Sequence, residues 1–592
     1  MKSFDKVRDE EEILDCFAVM KEESEDYISD RVKKYGRNFL MYMGEHYLRD
    51  GGDEYQIDDR NPSWRFRVKR DMIGTMVDSL RPILMRGYPK YFVDADFADY
   101  QATLPTEQGE VPVPGVTDGD LAQHLQSILD ATHLKRGEGI EVAKLLVDVL
   151  VGGTAYRKIV FDPITNQVVL PVLNFSDVLP DPYGVNTDFS DHKYVIIKNE
   201  MDAADIERIY GIKESEFGSH DEEVSGQGLI RKVRRYFKGS NNKMEHDDKY
   251  RRRRYPVYEL FYNEATPNLV LEGEKPPKSL RHPRGRQLVI INDRKVVVDR
   301  HNPYWHGQYP VVAYVANPIP HQLFGRTEVD TLVPIQEATN ILMNMIVTNA
   351  MLAGNNQWMY EEGALQAEEV TNQPGLMIPV SPGGLDRIRR VDPAPLSADT
   401  MALLKEMEQH GRSDITGVQD VLMGREPTNR ASGVLANTLQ AAALTRQGFK
   451  VQSLDESYRR QANLEISLMQ QYADYQDPQL MRLMDMGEFN MWSESIRYLL
   501  YDVKVESQAD FPHNVVSRIN FAVQLVQLGV FDMEEFMTFT GVKVRPELRA
   551  RIRAQSQQMP LGAQTADADA NGGLAGAENL GMGVPQQAMP QV

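Results

Sequence analysis

A long proline-free segment constrains the fold of this chain more than any other feature. It begins after the glycine- and proline-containing residues 411–429 and continues to Pro478. Its apolar residues recur mostly at gaps of three, four and seven, which places them on one face of an α-helix: Leu435, Leu439, Ala442, Phe449, Leu454, Tyr458, Ala462, Ile466, Met469 and Tyr472. At 1.5 Å per residue, a helix over 430–475 is roughly 65 Å long. The segment therefore predicts a rod with a loop at its N-terminal end.

The overall composition excludes several classes of protein. The 592 residues allow several domains, but the formal net charge of −20 argues against a protein that coats nucleic acid through a basic surface. A single cysteine, Cys16, excludes an intramolecular disulfide framework and a cysteine-rich zinc site. The first residues contain no apolar signal-peptide core, so we expect assembly in a reducing cytoplasm.

Residues 338–360 are the most membrane-like stretch because they carry no charge. The stretch nevertheless contains Asn340, Asn344, Asn349 and further amides, which are costly to bury in lipid. We therefore expect a helix that packs against other helices, and no membrane partner.

The pattern upstream of residue 325 predicts helices packed on a mixed β-sheet, within an α+β and predominantly helical fold. The predicted elements are a helix with Ile13 and Phe17 on its apolar side, a helix from about Phe66 to Met85, a Pro/Gly loop over 101–118, two helices over 121–150 that break near Gly137, several strands over 154–200, and a hairpin about Asn292–Asp293.

The remaining elements follow in a simple order. A helix begins after Gly325, a small β-rich insert spans 354–396, and a second helix leads into the loop that precedes the rod. After the rod, the stretch YDVKVESQ predicts a strand that completes the earlier sheet. The composition after Ser556 cannot build a core, so we expect disorder there.

Motifs for common catalytic sites are missing from the sequence. It contains no phosphate-binding loop, dinucleotide fingerprint, H-E-x-x-H or G-x-S-x-G. His301 and His306 lack a third metal-ligand pattern, and Asp181 and Asp188 lie in stretches typical of turns. We expect no enzyme activity, no cofactor and no metal, with a metal-dependent nuclease as the alternative.

Three basic clusters have two interpretations each. The arginine run 251–254 is a solvated loop balanced by nearby acids, or a contact with DNA or an acidic partner. Arg387, Arg389 and Arg390 protect a strand edge from aggregation, or meet a partner. The arginines of 412–430 alternate with acidic residues, which suits transient phosphate contact better than tight binding.

Several stretches, taken in order, resemble the portal proteins of tailed bacteriophages, closest to the podovirus type. The part of the family called the wing is similar to LLVDVLVGGTAYRKIVFDP, NFSDVLPDPYG and HKYVIIKNEMDAADIERIYG. The strand that enters the first stem helix is similar to PVVAYVANPIPHQLFGRTEVDTLVPIQEATNILMNM. The tunnel loop and the start of the long backbone helix are similar to ITGVQDVLMGREPTNRASGVLANTLQ. The resemblance covers about residues 30–540.

The resemblance implies a dodecameric ring at one vertex of the virion capsid, assembled in the host cytoplasm. Such a ring conducts double-stranded DNA and docks the terminase large subunit and head–tail adaptor proteins, with the major capsid and scaffolding proteins as further partners. The alternative is a capsid or tail adaptor without a channel. The implied regions are an N-terminal region and wing (1–324), stem helix 1 (325–353), a small α/β clip (354–396), stem helix 2 (397–413), the tunnel loop (414–429), the long backbone helix and return to the wing (430–510), a helical crown (511–555) and a disordered tail (556–592).

The resemblance also implies site residues. Arg412, Arg425, Asn429 and Arg430 lie nearest to passing DNA, and Arg387, Arg389 and Arg390 lie on the clip that meets terminase and adaptors. Ile341, Met345 and Ile346 belong to the stem interface between subunits. An uncharged helix rich in Met and Asn suits such side-by-side packing, and we expect its amides to pair across subunits.

Overall fold

The computed structural model describes residues 4–52, 55–58, 67–86, 90–96, 101–106, 109–218, 254–264, 281–354, 357–360, 388–391, 398–411, 433–474, 496–506 and 522–523. The chain divides into two compact units, Met1–Ala509 and Asp510–Val592. In the second unit only Ala522 and Val523 belong to the described residues, so the architecture below is that of the first.

Helices and strands alternate in blocks along the first unit. The helices are α1 (Glu10–Tyr42), α2 (Ile73–Arg86), α3 (Asp118–Arg136), α4 (Glu138–Gly152), α5 (Ala203–Tyr210), α6 (Glu214–Phe217), α7 (Glu328–Gly354), α8 (Ala398–Gln409) and α9 (Gly433–Tyr472).

The strands are short and lie between and after these helices along the chain. They are β1 (Leu48–Asp50), β2 (Tyr55–Ile57), β3 (Lys90–Ala95), β4 (Gln101–Thr106), β5 (Gly109–Thr117), β6 (Thr154–Lys158), β7 (Val160–Asp162), β8 (Gln167–Val169), β9 (Val172–Leu173), β10 (Val178–Pro180), β11 (Tyr194–Asp202), β12 (Arg254–Tyr262), β13 (Arg286–Ile291), β14 (Lys295–His301), β15 (Val311–Val315), β16 (Gln357–Tyr360), β17 (Ile388–Val391) and β18 (Tyr501–Glu506). The α+β class is therefore confirmed.

The largest sheet has the order β10-β11-β12-β13-β14, and a three-stranded sheet has the order β15-β6-β9. The other described strands form two-stranded ribbons. Every strand pair among the described residues is antiparallel, so the prediction of a mixed sheet is wrong for this part of the chain. A parallel pair needs a connection that returns the chain to the same end of the sheet, whereas here the chain reverses direction between neighbouring strands.

Strand β12 shows how the two faces of the five-stranded sheet are covered. Tyr258 packs on Phe17 of α1, with ring centroids 5.3 Å apart. Phe261 points to the opposite face, because odd and even residues of a strand alternate, and stacks on Tyr304 at 6.3 Å. One face therefore carries α1, and the other carries the loop that follows β14.

The predicted rod is present as α9, which spans 40 residues. Its C-terminal half buries Leu454, Tyr458, Ala462, Ile466 and Met469 against the core. Phe449 departs from the prediction because its side chain is 61% exposed. Among the described side chains, the predicted apolar stripe therefore meets the core from Leu454 to Met469.

Two local predictions are wrong. The segment predicted as a loop over 101–118 is a ribbon of β4 and β5, in which Thr103 lies opposite Pro112. A two-stranded ribbon tolerates proline because each strand has a partner on one side only. The helix predicted from Phe66 begins at Ile73. By contrast, the strand predicted from YDVKVESQ is present as β18, but among the described residues it pairs with β3 alone and does not complete a larger sheet.

Candidate functional site

Helix α7 exposes an uncharged stripe. Ile341 is 58% and Met345 56% exposed, while Ile346 is half-buried. Pro334 and the acidic Glu337 are also exposed on this side, toward the N-terminus, because positions three and four apart lie on one side of a helix. Contiguous exposed apolar surface of this kind marks an interaction site more often than a solvated face does. We call Ile341, Met345 and Ile346 the α7 stripe.

The inner side of α7 carries three amides that we call the amide ladder: Gln336, Asn340 and Asn344. Gln336 and Asn340 are buried, with exposures of 0% and 2%. The ladder holds the extended residues 67–72 through three bonds, donated by Met72 N–H to Gln336 Oε1 (2.8 Å), Arg70 N–H to Asn340 Oδ1 (2.9 Å) and Val68 N–H to Asn344 Oδ1 (2.7 Å).

The ladder is possible because the helix and the bound segment advance by nearly equal distances between successive hydrogen bonds. Four residues of α-helix rise about 6.0 Å. Two residues of extended chain advance about 6.6 Å, so every second N–H of the segment meets every fourth side chain of the helix. The same amides donate back, since Gln336 bonds to Arg70 O, and Asn344 Nδ2 to the Tyr47 hydroxyl at 2.6 Å.

The amide ladder bears on two predictions, the pairing of the α7 amides across subunits and the start of helix α2. Gln336, Asn340 and Asn344 bond within their own chain, so the prediction that the α7 amides pair across subunits is wrong for these three. The Val68 and Arg70 N–H groups donate to the ladder, so residues 67–70 lie outside the helix, and α2 begins at Ile73.

The same segment contacts the end of α8. Gly411 is buried against Leu332 and Ile335 of α7, and a Cβ at this position would overlap the Met72 methyl group. Arg70 adds an ion pair to Glu408, with Nε 3.2 Å from Oε1. The chain is thus fixed in place at the last described residue before 412–432.

The N-terminal end of α7 is anchored to two other helices. Lys450 of α9 lies 2.5 Å from Glu328, and Arg37 of α1 lies 2.8 Å from Asp330. Acidic residues in a first helical turn also interact favourably with the helix dipole. Helix α7 is therefore held along its inner side and at its start, while its stripe remains exposed.

A buried carboxylate ties α9 to α3. Glu465 is fully buried, with His133 Nε2 at 3.0 Å and Arg136 Nη2 at 2.5 Å. Burial raises the pKa of this carboxyl, but the Coulombic and hydrogen-bond interactions with His133 and Arg136 lower its pKa to about 2. The arrangement has no exposed group to present to a substrate, so it serves to fix the rod. Sequence reasoning missed it because its partners are distant along the chain.

Only some of the predicted site residues lie in the parts of the chain that the structure describes. Arg412, Arg425, Asn429, Arg430 and Arg387 lie outside the described residues. Arg389 and Arg390 lie in β17, opposite Met359 and Trp358 of β16. Ile341, Met345 and Ile346 lie together on α7. Of the arginine run, Arg254 is described, and its Nε donates to Asp202 at 3.2 Å.

The weak catalytic candidates have structural roles. Asp181 accepts the N–H groups of Tyr183 (3.0 Å) and Lys193 (2.9 Å), and Asp188 accepts that of Ser190 (3.0 Å). His306 Nδ1 accepts the N–H of Gln308 at 2.9 Å. These are bonds typical of turns.

The described parts of the chain contain neither a metal-binding cluster nor a helix able to cross a membrane. No group of three or more His, Cys, Asp or Glu side chains there is arranged to hold a metal ion. Within the same ranges, no helix combines the length and apolar character that crossing a membrane requires.

Comparison with known proteins supplies the remaining information. A family model described as phage P22-like portal protein matches residues 111–589, which is most of the chain. No curated protein matches the sequence.

Proposed function

The chain belongs to the phage P22-like portal protein family, and on that premise we propose that it forms a ring that conducts double-stranded DNA into and out of the capsid. Phage portal proteins are structural components of the virion. The observation that carries the proposal beyond the family match is the exposed, uncharged α7 stripe on a helix that is otherwise anchored.

The α7 stripe supports the ring. Ile341 and Met345 are more than half exposed in the isolated chain, and Ile346 lies beside them. Burying these side chains against a neighbouring subunit removes apolar surface from water at about 25 cal/mol per Å². We infer that this stem surface joins subunits, with twelve copies as the implied number.

DNA contact falls to the tunnel loop, 414–429, and to the residues on either side of it, which follow the anchored Gly411. We infer brief phosphate contacts by Arg412, Arg425 and Arg430, with Asn429 as a neutral hydrogen-bond donor. Twelve copies at −20 each give an acidic assembly, and an acidic channel wall repels phosphates. Such a channel lets DNA slide instead of gripping it.

The insert between α7 and α8 supports a docking role. Its described part is the antiparallel ribbon β16–β17, which contains Arg389 and Arg390, with Arg387 just before it. We infer that this clip meets the terminase large subunit during packaging and head–tail adaptors afterwards, at a unique capsid vertex. Assembly in the host cytoplasm with capsid and scaffolding proteins completes the proposal.

Electron microscopy of the purified full chain tests the ring directly. Rings with a central hole support the proposal, whereas shells or monomers contradict it and favour an adaptor without a channel. Replacing both Ile341 and Ile346 by Asp should prevent rings, because each change places an unpaired charge in the interface. Leu134→Asp is the matched control, since Leu134 is 84% exposed on α3, away from the stripe. Normal rings from the double variant would refute the stem assignment.

A further inference from the structure

A second exposed surface lies at the C-terminal end of α9. Trp305 is 52% and Tyr472 39% exposed, and Arg300 is exposed beside them. Tyr472 stacks on Phe161 with ring centroids 5.6 Å apart. We call Trp305, Tyr472 and Arg300 the aromatic patch.

Hydrogen bonds hold the backbone of Trp305 and the side chains of Tyr472 and Arg300 before the patch meets any partner. The Trp305 backbone N–H donates to Gln471 Oε1 at 2.9 Å, and Gln471 Nε2 donates to Pro303 O at 2.7 Å. The Tyr472 hydroxyl donates to the same carbonyl at 3.2 Å. Arg300 Nε donates to Gln287 Oε1 at 2.8 Å. Fixed side chains lose little entropy on binding, which favours use as an interface.

The composition of the patch also favours a protein interface. Trp, Tyr and Arg are the residues that most often carry binding energy at protein–protein interfaces, because they combine large apolar area with a polar group. An exposed Trp next to a stacked Tyr is otherwise an unfavourable surface in water.

On the opposite side of the five-stranded sheet that contains Arg300, helix α1 carries an acidic surface, opposite in charge to Arg300. The exposed side of α1 holds Glu22, Glu23, Glu25 and Asp26 around Val19, which is 44% exposed. We call these residues the acidic face of α1. Acidic residues four apart on a helix repel each other, so a cationic neighbour stabilises them.

Strand register places the two surfaces on opposite sides. Phe261 lies opposite Gln287, and Gln287 lies opposite Arg300, so all three point to one face of the five-stranded sheet. Trp305 follows Tyr304, which stacks on Phe261 of that face. Helix α1 covers the other face, as the Phe17–Tyr258 contact shows.

A ring of identical subunits needs two different surfaces, one on each side of the subunit. We propose that the aromatic patch of one copy packs against the acidic face of α1 of the next copy, a second subunit contact separate from the α7 stripe. The inference rests on the proposed ring. Arg300 then meets the carboxylates while Trp305 and Tyr472 cover Val19.

Crosslinking between two singly labelled subunits tests the contact. In a Cys16→Ser background, one chain carries Gln308→Cys, beside the patch, and another carries Val19→Cys; Gln308 and Val19 are both exposed. After coassembly, a bismaleimide should join the two chains into covalent dimers. Leu134→Cys in place of Val19→Cys is the control and should give background yield. Adding Trp305→Ala should raise the concentration for half-assembly by at least about tenfold, the size of an interface hot-spot loss.

The outcomes separate this contact from the ring itself. Crosslinking above the control, weakened by Trp305→Ala, supports the contact. Rings that form normally with no crosslinking above the control, or with Trp305→Ala assembling like the parent, overturn it while the ring proposal stands. Loss of binding to another virion protein with intact assembly also overturns it. If the parent chain forms no rings, both the ring proposal and the second subunit contact are refuted.

Discussion

Asn340→Ala probes the amide ladder most directly. The buried Asn340 side chain accepts the Arg70 N–H at 2.9 Å and the Gln336 Nε2–H at 3.1 Å. Alanine leaves the Arg70 N–H without its partner at a part-buried contact beside the fully buried Gln336. An unsatisfied buried donor costs about 1–3 kcal/mol. That cost falls on the attachment of residues 67–72 to α7.

Hydrogen–deuterium exchange followed by mass spectrometry measures this attachment locally. Each 1.4 kcal/mol is a factor of ten in an opening equilibrium, so the peptide that spans 67–72 should exchange roughly 5- to 150-fold faster in Asn340→Ala. Global unfolding is a poorer measure, because a chain with more than one compact unit need not unfold in one step.

Two further variants sharpen the result. Ile341→Ala, next to Asn340 but on the exposed stripe, should leave exchange of 67–72 unchanged. Gln336→Glu keeps an oxygen for the Met72 N–H but loses the donor to Arg70 O, so it should speed exchange as well. Unchanged exchange in Asn340→Ala would refute the role assigned to the ladder.

Three other predictions concern the rod and the loop. Glu465→Gln leaves the Arg136 guanidinium and the His133 ring without their buried carboxylate and should destabilise the protein by about 3–5 kcal/mol, as measured by chemical denaturation of the first unit. Because Glu465 has a pKa of about 2 in the fold against an ordinary 4.5, its stabilisation is fully present above pH 4.5 and should be lost as the pH falls toward 2, an acid limb that Glu465→Gln should lack. Deleting residues 418–426 should leave rings intact in electron micrographs but impair DNA packaging or retention, and failure to form rings would contradict the loop assignment.

Features set by local sequence could be predicted well. The hairpin about Asn292–Asp293 has both residues at positive φ, 52° and 56°, a conformation that Asn and Asp tolerate. Gly137 separates α3 from α4 with φ 67°, as a glycine at a helix end does. The long spacing pattern of α9 likewise depends only on neighbours along the chain.

Features set by partners that are distant along the chain could not be predicted from the sequence. Periodicity marks Glu465 as one polar position within a helix, and nothing local indicates that His133 and Arg136 surround it. The segment 67–72 has helical spacing of its own, yet the α7 amides bind its backbone in an extended form. In both cases a contact between remote segments outweighs a local preference, and a single sequence contains no record of that choice.

The odd composition of α7 follows from its two sides. From residue 338 onward α7 carries no charge and is rich in Asn and Met, which is unsuited to a solvated surface, but the amides are needed inside to bind residues 67–72, and the apolar stripe lies outside. Lys450 and Arg37 hold the start of the helix, so the stripe cannot turn inward to bury itself. A helix locked in this orientation keeps Ile341 and Met345 exposed unless another chain covers them, and the locking is therefore what makes the stripe available to a neighbouring subunit.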